Sequence, residues 1–78
     1  MDNIAKLKKA FSEALELEPE IINEELSYGS EGWDSVAHLA LVASIETEFD
    51  IMLVSDEVID MSSFKKARDI LERYGIQF

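Results

Sequence analysis

Apolar positions recur at helical spacing along most of this chain. From Asn3 to Leu17 they fall at Ile4, Leu7, Phe11, Ala14 and Leu15, one stripe at three- and four-residue intervals, with Lys6, Lys8, Lys9, Glu13 and Glu16 on the wet side. Asp2 or Asn3 is placed to cap the start of this helix. Pro19 is expected to end it, because the residue before a proline is pushed out of the α region. Residues 18–34 then read as a connection, pinned to the core by Ile21, Ile22 and Leu26 and punctuated by Gly29 and Gly32. That is long for a link between two helices, and long links in small domains carry function or a short turn of their own.

A second helix is predicted from Ser35 to Phe49, with Asp34 as its N-cap. Ser55-Asp56-Glu57 starts a short helical turn through Asp60. Ser62 or Ser63 caps a last helix, with Phe64, Ala67, Ile70, Leu71 and Tyr74 inward and Gly75 at its C-terminal cap. Ile51-Met52-Leu53-Val54 is the one ambiguous apolar run, too isolated to build a sheet. The expectation is an all-α fold: a small bundle of three main helices plus one short helix, forming a single domain over residues 1–78.

The second helix breaks the usual amphipathic rule. At 100° per residue, Leu41, Val42, Ile45 and Phe49 cluster on one side, while Val36, Leu39, Ala40 and Ala43 cluster on nearly the opposite side. A helix in a small bundle needs one apolar stripe to meet its core. Leu41, Val42, Ile45 and Phe49 are therefore assigned to the core, and Val36, Leu39 and Ala43 to a partly exposed docking face. The competing explanation is that the 18–34 connection folds over the second stripe.

Charge narrows the partners. Seventeen acidic residues against seven basic ones give a formal net charge of −10. Such a domain repels nucleic acid and anionic membrane surfaces. It attracts partners bearing basic patches and speeds their encounter, although acidity also serves solubility alone. With no cysteine in the chain, thiolate catalysis by the protein and disulfide bonding are both excluded. No apolar stretch approaches the roughly 18–20 residues of a transmembrane helix. Met1-Asp2-Asn3-Ile4-Ala5-Lys6 lacks the basic and apolar regions of a signal peptide. A cytoplasmic monomer without membrane insertion is the resulting expectation.

The residues that could carry chemistry sit at the head of the two-faced helix, in Glu31-Gly32-Trp33-Asp34-Ser35-Val36. A helix N-terminus offers free amide N–H groups and the positive end of the macrodipole, so a phosphate on Ser35 would be well placed. Ser35 lacks activating machinery: His38 is one turn away, but no third group orients it and there is no G-x-S-x-G elbow. Taken alone, Asp34-Ser35 reads first as a helix cap.

The string Gly32-Trp33-Asp34-Ser35-Val36-Ala37-His38-Leu39-Ala40-Leu41-Val42 resembles the phosphopantetheine attachment motif of the acyl carrier protein family, an Asp-Ser-aliphatic triplet followed by an amphipathic helix. The likeness continues through Ile45-Glu46-Thr47-Glu48-Phe49-Asp50, Asp56-Glu57 and Met61-Ser62-Ser63-Phe64, and so covers essentially the whole chain. The triplet is short; triplet, length, acidity, helix order and Phe49-Asp50 together are specific. The resemblance implies a freestanding carrier with no turnover of its own. Ser35 would be esterified by a phosphopantetheinyl transferase using coenzyme A, and the 4'-phosphopantetheine arm would hold acyl-type cargo as a thioester. Asp34 would flank the site and help orient the transferase and its metal. Val36, Leu39 and Ala43 match the family's partner-contacting positions, and Glu46 an acidic contact for basic acyl-loading and acyl-transferring enzymes. Val36 stands where leucine is commoner, and Ala37 and Ala40 stand where many fatty-acid-synthesis members carry acids. These departures point to a specialised pathway: polyketide-like, amino-acid-loading or surface-glycan.

The other residues of note have plainer expectations. Trp33 is a loop anchor packed against the first helix, or a transferase contact. His38 is half-buried and hydrogen-bonded near the loop. Asp50, Asp56, Glu57 and Asp60 lack the spacing of a calcium loop. Met52, Met61 and Phe64 are core or the lining of a cargo cleft. The alternatives to a carrier are an unmodified acidic helical adaptor for a basic partner, and a hydrolase using Ser35.

Overall fold

The computed structural model describes residues 2–30 and 32–78. Four helices follow one another: α1, Asn3–Leu15; α2, Ser35–Phe49; α3, Ser55–Asp60; and α4, Phe64–Glu72. A 3₁₀ turn, Pro19–Ile21, lies in the connection between α1 and α2. No strand occurs among the described residues beyond a single antiparallel bridge between Ser27 and Ser63. The all-α bundle read from the sequence is the fold observed.

The three longer helices have the caps the sequence offered. Asp2 accepts from the Ile4 N–H, Asp34 from the Ala37 N–H and Ser63 from the Lys66 N–H, each satisfying a first-turn donor without an intrahelical acceptor. The end of α1 differs from expectation. It stops at Leu15 rather than running to Leu17, because Glu16 turns left-handed at φ 57° and its N–H returns to the Ser12 carbonyl. Pro19 does not terminate the helix but opens the 3₁₀ turn, with Glu18 extended before it. Asp50 ends α2 by the same left-handed device, at φ 55°.

The core draws on every segment except α3. Leu7, Ala10, Phe11 and Leu15 enter it from α1, Leu41 and Ile45 from α2, and Phe64, Ala67, Ile70 and Leu71 from α4. Ile22, Leu26 and Trp33 come from the long connection, and Leu53 and Met61 from the two flanks of α3. Trp33 is the largest of these. Its ring meets Phe11 edge-on at 5.3 Å, and Phe11 in turn meets Phe64 at 5.0 Å, so the connection, α1 and α4 share one aromatic column. Val42 and Phe49 pack on the core while staying partly exposed. Two placements correct the sequence reading. The 3₁₀ turn aims Ile22 inward and leaves Ile21 exposed. Met52 is 80% exposed and is neither core nor cleft lining, whereas Met61 and Phe64 are buried.

The connection is tied down by backbone as well as side chains. The Tyr28 N–H donates to the Ser62 carbonyl at 2.9 Å, and the Phe64 N–H donates to the Leu26 carbonyl at 3.0 Å. A tight turn bonds Ser30 to Ser27 and Gly29 to Trp33, with Gly29 at φ +93°, a conformation only glycine adopts freely.

With no fully buried residue of its own, α3 is held by the partial packing of Val58 on the core and by polar ties. The Tyr74 hydroxyl donates to the Glu57 carboxylate, with the Met52 carbonyl 3.0 Å away as a second acceptor. Glu57 also accepts from the Val54 N–H at the head of α3. The bond to Glu57 raises the Tyr74 phenol above the ordinary tyrosine value, helped by burial and by the Glu57 charge. The folded chain thus holds this proton more tightly than the unfolded chain does. The contact contributes fully below about pH 10, where an unfolded tyrosine titrates, and is lost as pH rises through the folded value. Lys9, raised by its hydrogen bond to Glu48, fades in the same alkaline range. Tyr74→Phe should therefore lower the melting temperature at pH 7 and flatten the alkaline part of the stability profile. An unchanged alkaline slope, measured by circular dichroism from pH 7 to 11, would remove Tyr74 from this role.

Candidate functional site

The site is built on the first turn of α2. Asp34 is extended, at φ −111° and ψ −172°, which turns its carboxylate back onto the Ala37 N–H at 2.9 Å. The Ser35 and Val36 N–H groups remain free of intrahelical acceptors. Ser35 is exposed at the first helical position, and its hydroxyl makes no hydrogen bond to another described residue. The arrangement presents a serine oxygen beside two open amide donors and the positive end of a 15-residue helix.

His38 is turned away from Ser35. The Trp33 Nε1–H donates to its Nδ1 at 3.0 Å, and its Nε2 lies 2.8 Å from the Val58 carbonyl. An indole N–H only donates and a carbonyl only accepts, so His38 is the neutral Nε2–H tautomer. Both ring nitrogens are occupied, and neither faces the serine as a general base. The imidazole also stacks on the Trp33 indole at 5.9 Å and meets the Tyr28 ring edge-on at 5.8 Å. His38 is thus half-buried beside the loop, and Trp33 is the loop anchor on the first helix, as the sequence suggested.

The two apolar faces of α2 separate cleanly. Leu41 and Ile45 are fully buried against α1 and the core. Val36 is 76% and Leu39 68% exposed, and Ala40 and Ala43 are exposed beside them. The connection between α1 and α2 folds under this stripe, into the core, and not over it. Glu46 is half-buried, and one of its carboxylate oxygens accepts the Leu53 N–H at 2.9 Å, so it braces the chain after α2.

Sequence reading missed a second apolar rim. Met52, Val54 and Ile59, before and along α3, are exposed. Their exposure follows from which way the short α3 faces, and no periodicity in six residues signals that. Between α3, α2 and the connection lies a groove of about 280 Å³, lined by Tyr28, His38, Val58, Ile59, Met61 and Ser62. It is mostly apolar and falls just below the ~300–1,000 Å³ of pockets that bury a drug-sized ligand. His38, which lines it, stands one turn after Ser35.

The site is thus an exposed serine hydroxyl at the head of α2 with an uncovered apolar stripe running from it. The family model for the phosphopantetheine attachment site matches residues 5–76, and the chain belongs to that family. No curated protein matches it. Domains of this family are sites of covalent 4'-phosphopantetheine attachment and act as non-catalytic carriers. The head of α2 fits that group, since an exposed hydroxyl and two open amide donors suit a phosphodiester.

Opposite faces of one helix give a direct comparison. Leu41→Ala should cost about 2–5 kcal/mol, the range for truncating a buried leucine. Leu39→Ala should stay within about 0.5 kcal/mol, as surface changes do. Chemical denaturation of both variants checks this; equal losses would mean that the second stripe is packed.

Proposed function

We propose that Ser35 is the attachment residue, and that the protein carries acyl-type cargo as a thioester on a 4'-phosphopantetheine arm. The observation that carries this reading is the exposed Ser35 hydroxyl at the first position of α2, free of internal partners, in a chain of the attachment-site family. A phosphopantetheinyl transferase would esterify Ser35 from coenzyme A. When bound, the arm supplies the thiol that holds the cargo. This chain's residues present it: Asp34 fixes the helix start and stands beside the site for the transferase, and the α2 amides receive the phosphate charge.

Val36, Leu39 and Ala43 form the partner-docking face, extended by Ala40 and, across the groove, by Val54 and Ile59. Glu46, Asp56 and Asp60 set acidic groups around it for enzymes with basic patches. The α2 face is less charged than the acid-rich one of fatty-acid-synthesis members, because Ala37 and Ala40 replace acids there. A specialised biosynthetic pathway in the cytoplasm, served by a monomeric carrier, fits this surface. An unmodified acidic adaptor is the second reading, favoured by the same exposed stripe and the net charge of −10.

Incubation with coenzyme A, magnesium and a broad-specificity transferase should raise the intact mass by one phosphopantetheinyl group in the wild type and not in Ser35→Ala. No gain in a folded wild type would favour the adaptor.

A further inference from the structure

His38 joins three parts of the site. It sits on α2 one turn after Ser35, accepts a hydrogen bond from the Trp33 indole N–H of the connection, and donates its Nε2–H to the Val58 carbonyl of α3. Val58 lies in the last turn of a six-residue helix, so its carbonyl has no partner within α3. Only the neutral ring fits these partners. A second proton would go to Nδ1 and set two N–H groups against each other across 3.0 Å. Trp33 is 1% exposed, so its displaced N–H could not turn to water without leaving the core. An imidazolium must therefore swing out, taking Nε2–H away from Val58.

What holds α3 otherwise is slight. It buries no residue fully: Val58 packs partly on the core, and the remaining side-chain ties are Glu57, next to Val58 in the helix, to Tyr74, and the exposed Asp60–Lys66 pair. We propose that His38 is a positioning residue and a proton-operated latch: neutral, it ties α3 to the arm-bearing helix and shapes the groove between them; protonated, it releases α3 and opens that groove. The titratable groups around the ring are engaged elsewhere or exposed. On α2, Asp34 is engaged with the Ala37 N–H; from the connection, Tyr28 offers only a ring edge. On α3, Glu57 is turned to Tyr74 and Asp60 to Lys66, Asp56 is exposed, and no carboxylate among the described residues is paired with the imidazole. Imidazole is the side chain that changes charge between about pH 5 and 8.

The latch belongs to the bare fold, so its test stands or falls independently of whether Ser35 accepts the arm; only the use of the groove for cargo rests on the carrier reading. Nuclear magnetic resonance of the unmodified full chain between pH 8 and 5.5 reads it. At pH 8 the ring nitrogens should show the Nε2–H tautomer, and the Trp33 indole proton should be protected from water. On acidification, Trp33 Nε1–H protection should be lost, and the amides of residues 55–62 should shift in one transition with the His38 ring, while those of α1 and α4 stay in place. His38→Gln places a non-titrating N–H at similar reach, so the α3 signals should hold their pH 8 positions throughout. His38→Ala should show loosened α3 at both ends of the range. His38 titrating while residues 55–62 stay fixed, or α3 shifting equally in His38→Gln, would overturn the proposal.

Discussion

The indole of Trp33 has to satisfy two demands at once. Its ring fills the centre of a core too small to waste volume, against Phe11 and, through it, Phe64. Its single N–H, buried with the ring, requires an acceptor, and His38 supplies one. Meeting both draws the end of the long connection into the bundle and fixes where α2 begins. Asp34 and Ser35 follow Trp33 directly in the chain, and both are exposed at the head of α2.

The same economy explains the bare face of α2. A chain of 78 residues buries a limited area, and the connection that could have covered a second stripe is used inside instead, through Ile22, Leu26 and Trp33. Leu41 and Ile45, with Ala37, Val42 and Phe49 packed beside them, hold α2, and Val36 and Leu39 stay exposed. Where apolar burial runs out, hydrogen bonds take over. The short α3 is held by the carbonyl of Val58 and the carboxylate of Glu57, each answered by one ring from elsewhere in the chain. Such ties open more readily than packed surfaces, so the segment beside the groove is also the one best able to move.

Much of this was legible in the residues because the signals were local. Two stripes at 100° spacing announce a two-faced helix, and Asp34, Ser63 and Gly75 mark ends that the structure reproduces. The half-buried place of His38 follows from the helical angle, whereas Trp33 reads from sequence as a loop anchor or a transferase contact, and the structure shows the anchor. What escaped depends on backbone turns without a sequence mark. Glu16 adopts a left-handed conformation usually given to glycine, so Leu17 looked like a continuation of the helix stripe. Ile21 and Ile22 are indistinguishable as letters, and only the 3₁₀ turn decides which points inward. Met52 reads as core by type but is turned out, because the chain around it is set by Glu46 and Tyr74, bonds between residues far apart in sequence. The apolar rim on α3 escaped for the same reason.

The central claim is the proposal that Ser35, exposed at the head of α2, is the residue that takes the phosphopantetheinyl group. Fragmentation mass spectrometry of transferase-treated protein locates the modification among all the serines of the chain. The account predicts a phosphopantetheinyl group on the peptide containing Ser35 and on no other serine. Its appearance on Ser30, Ser44 or any other hydroxyl, with Ser35 unmodified, would contradict it.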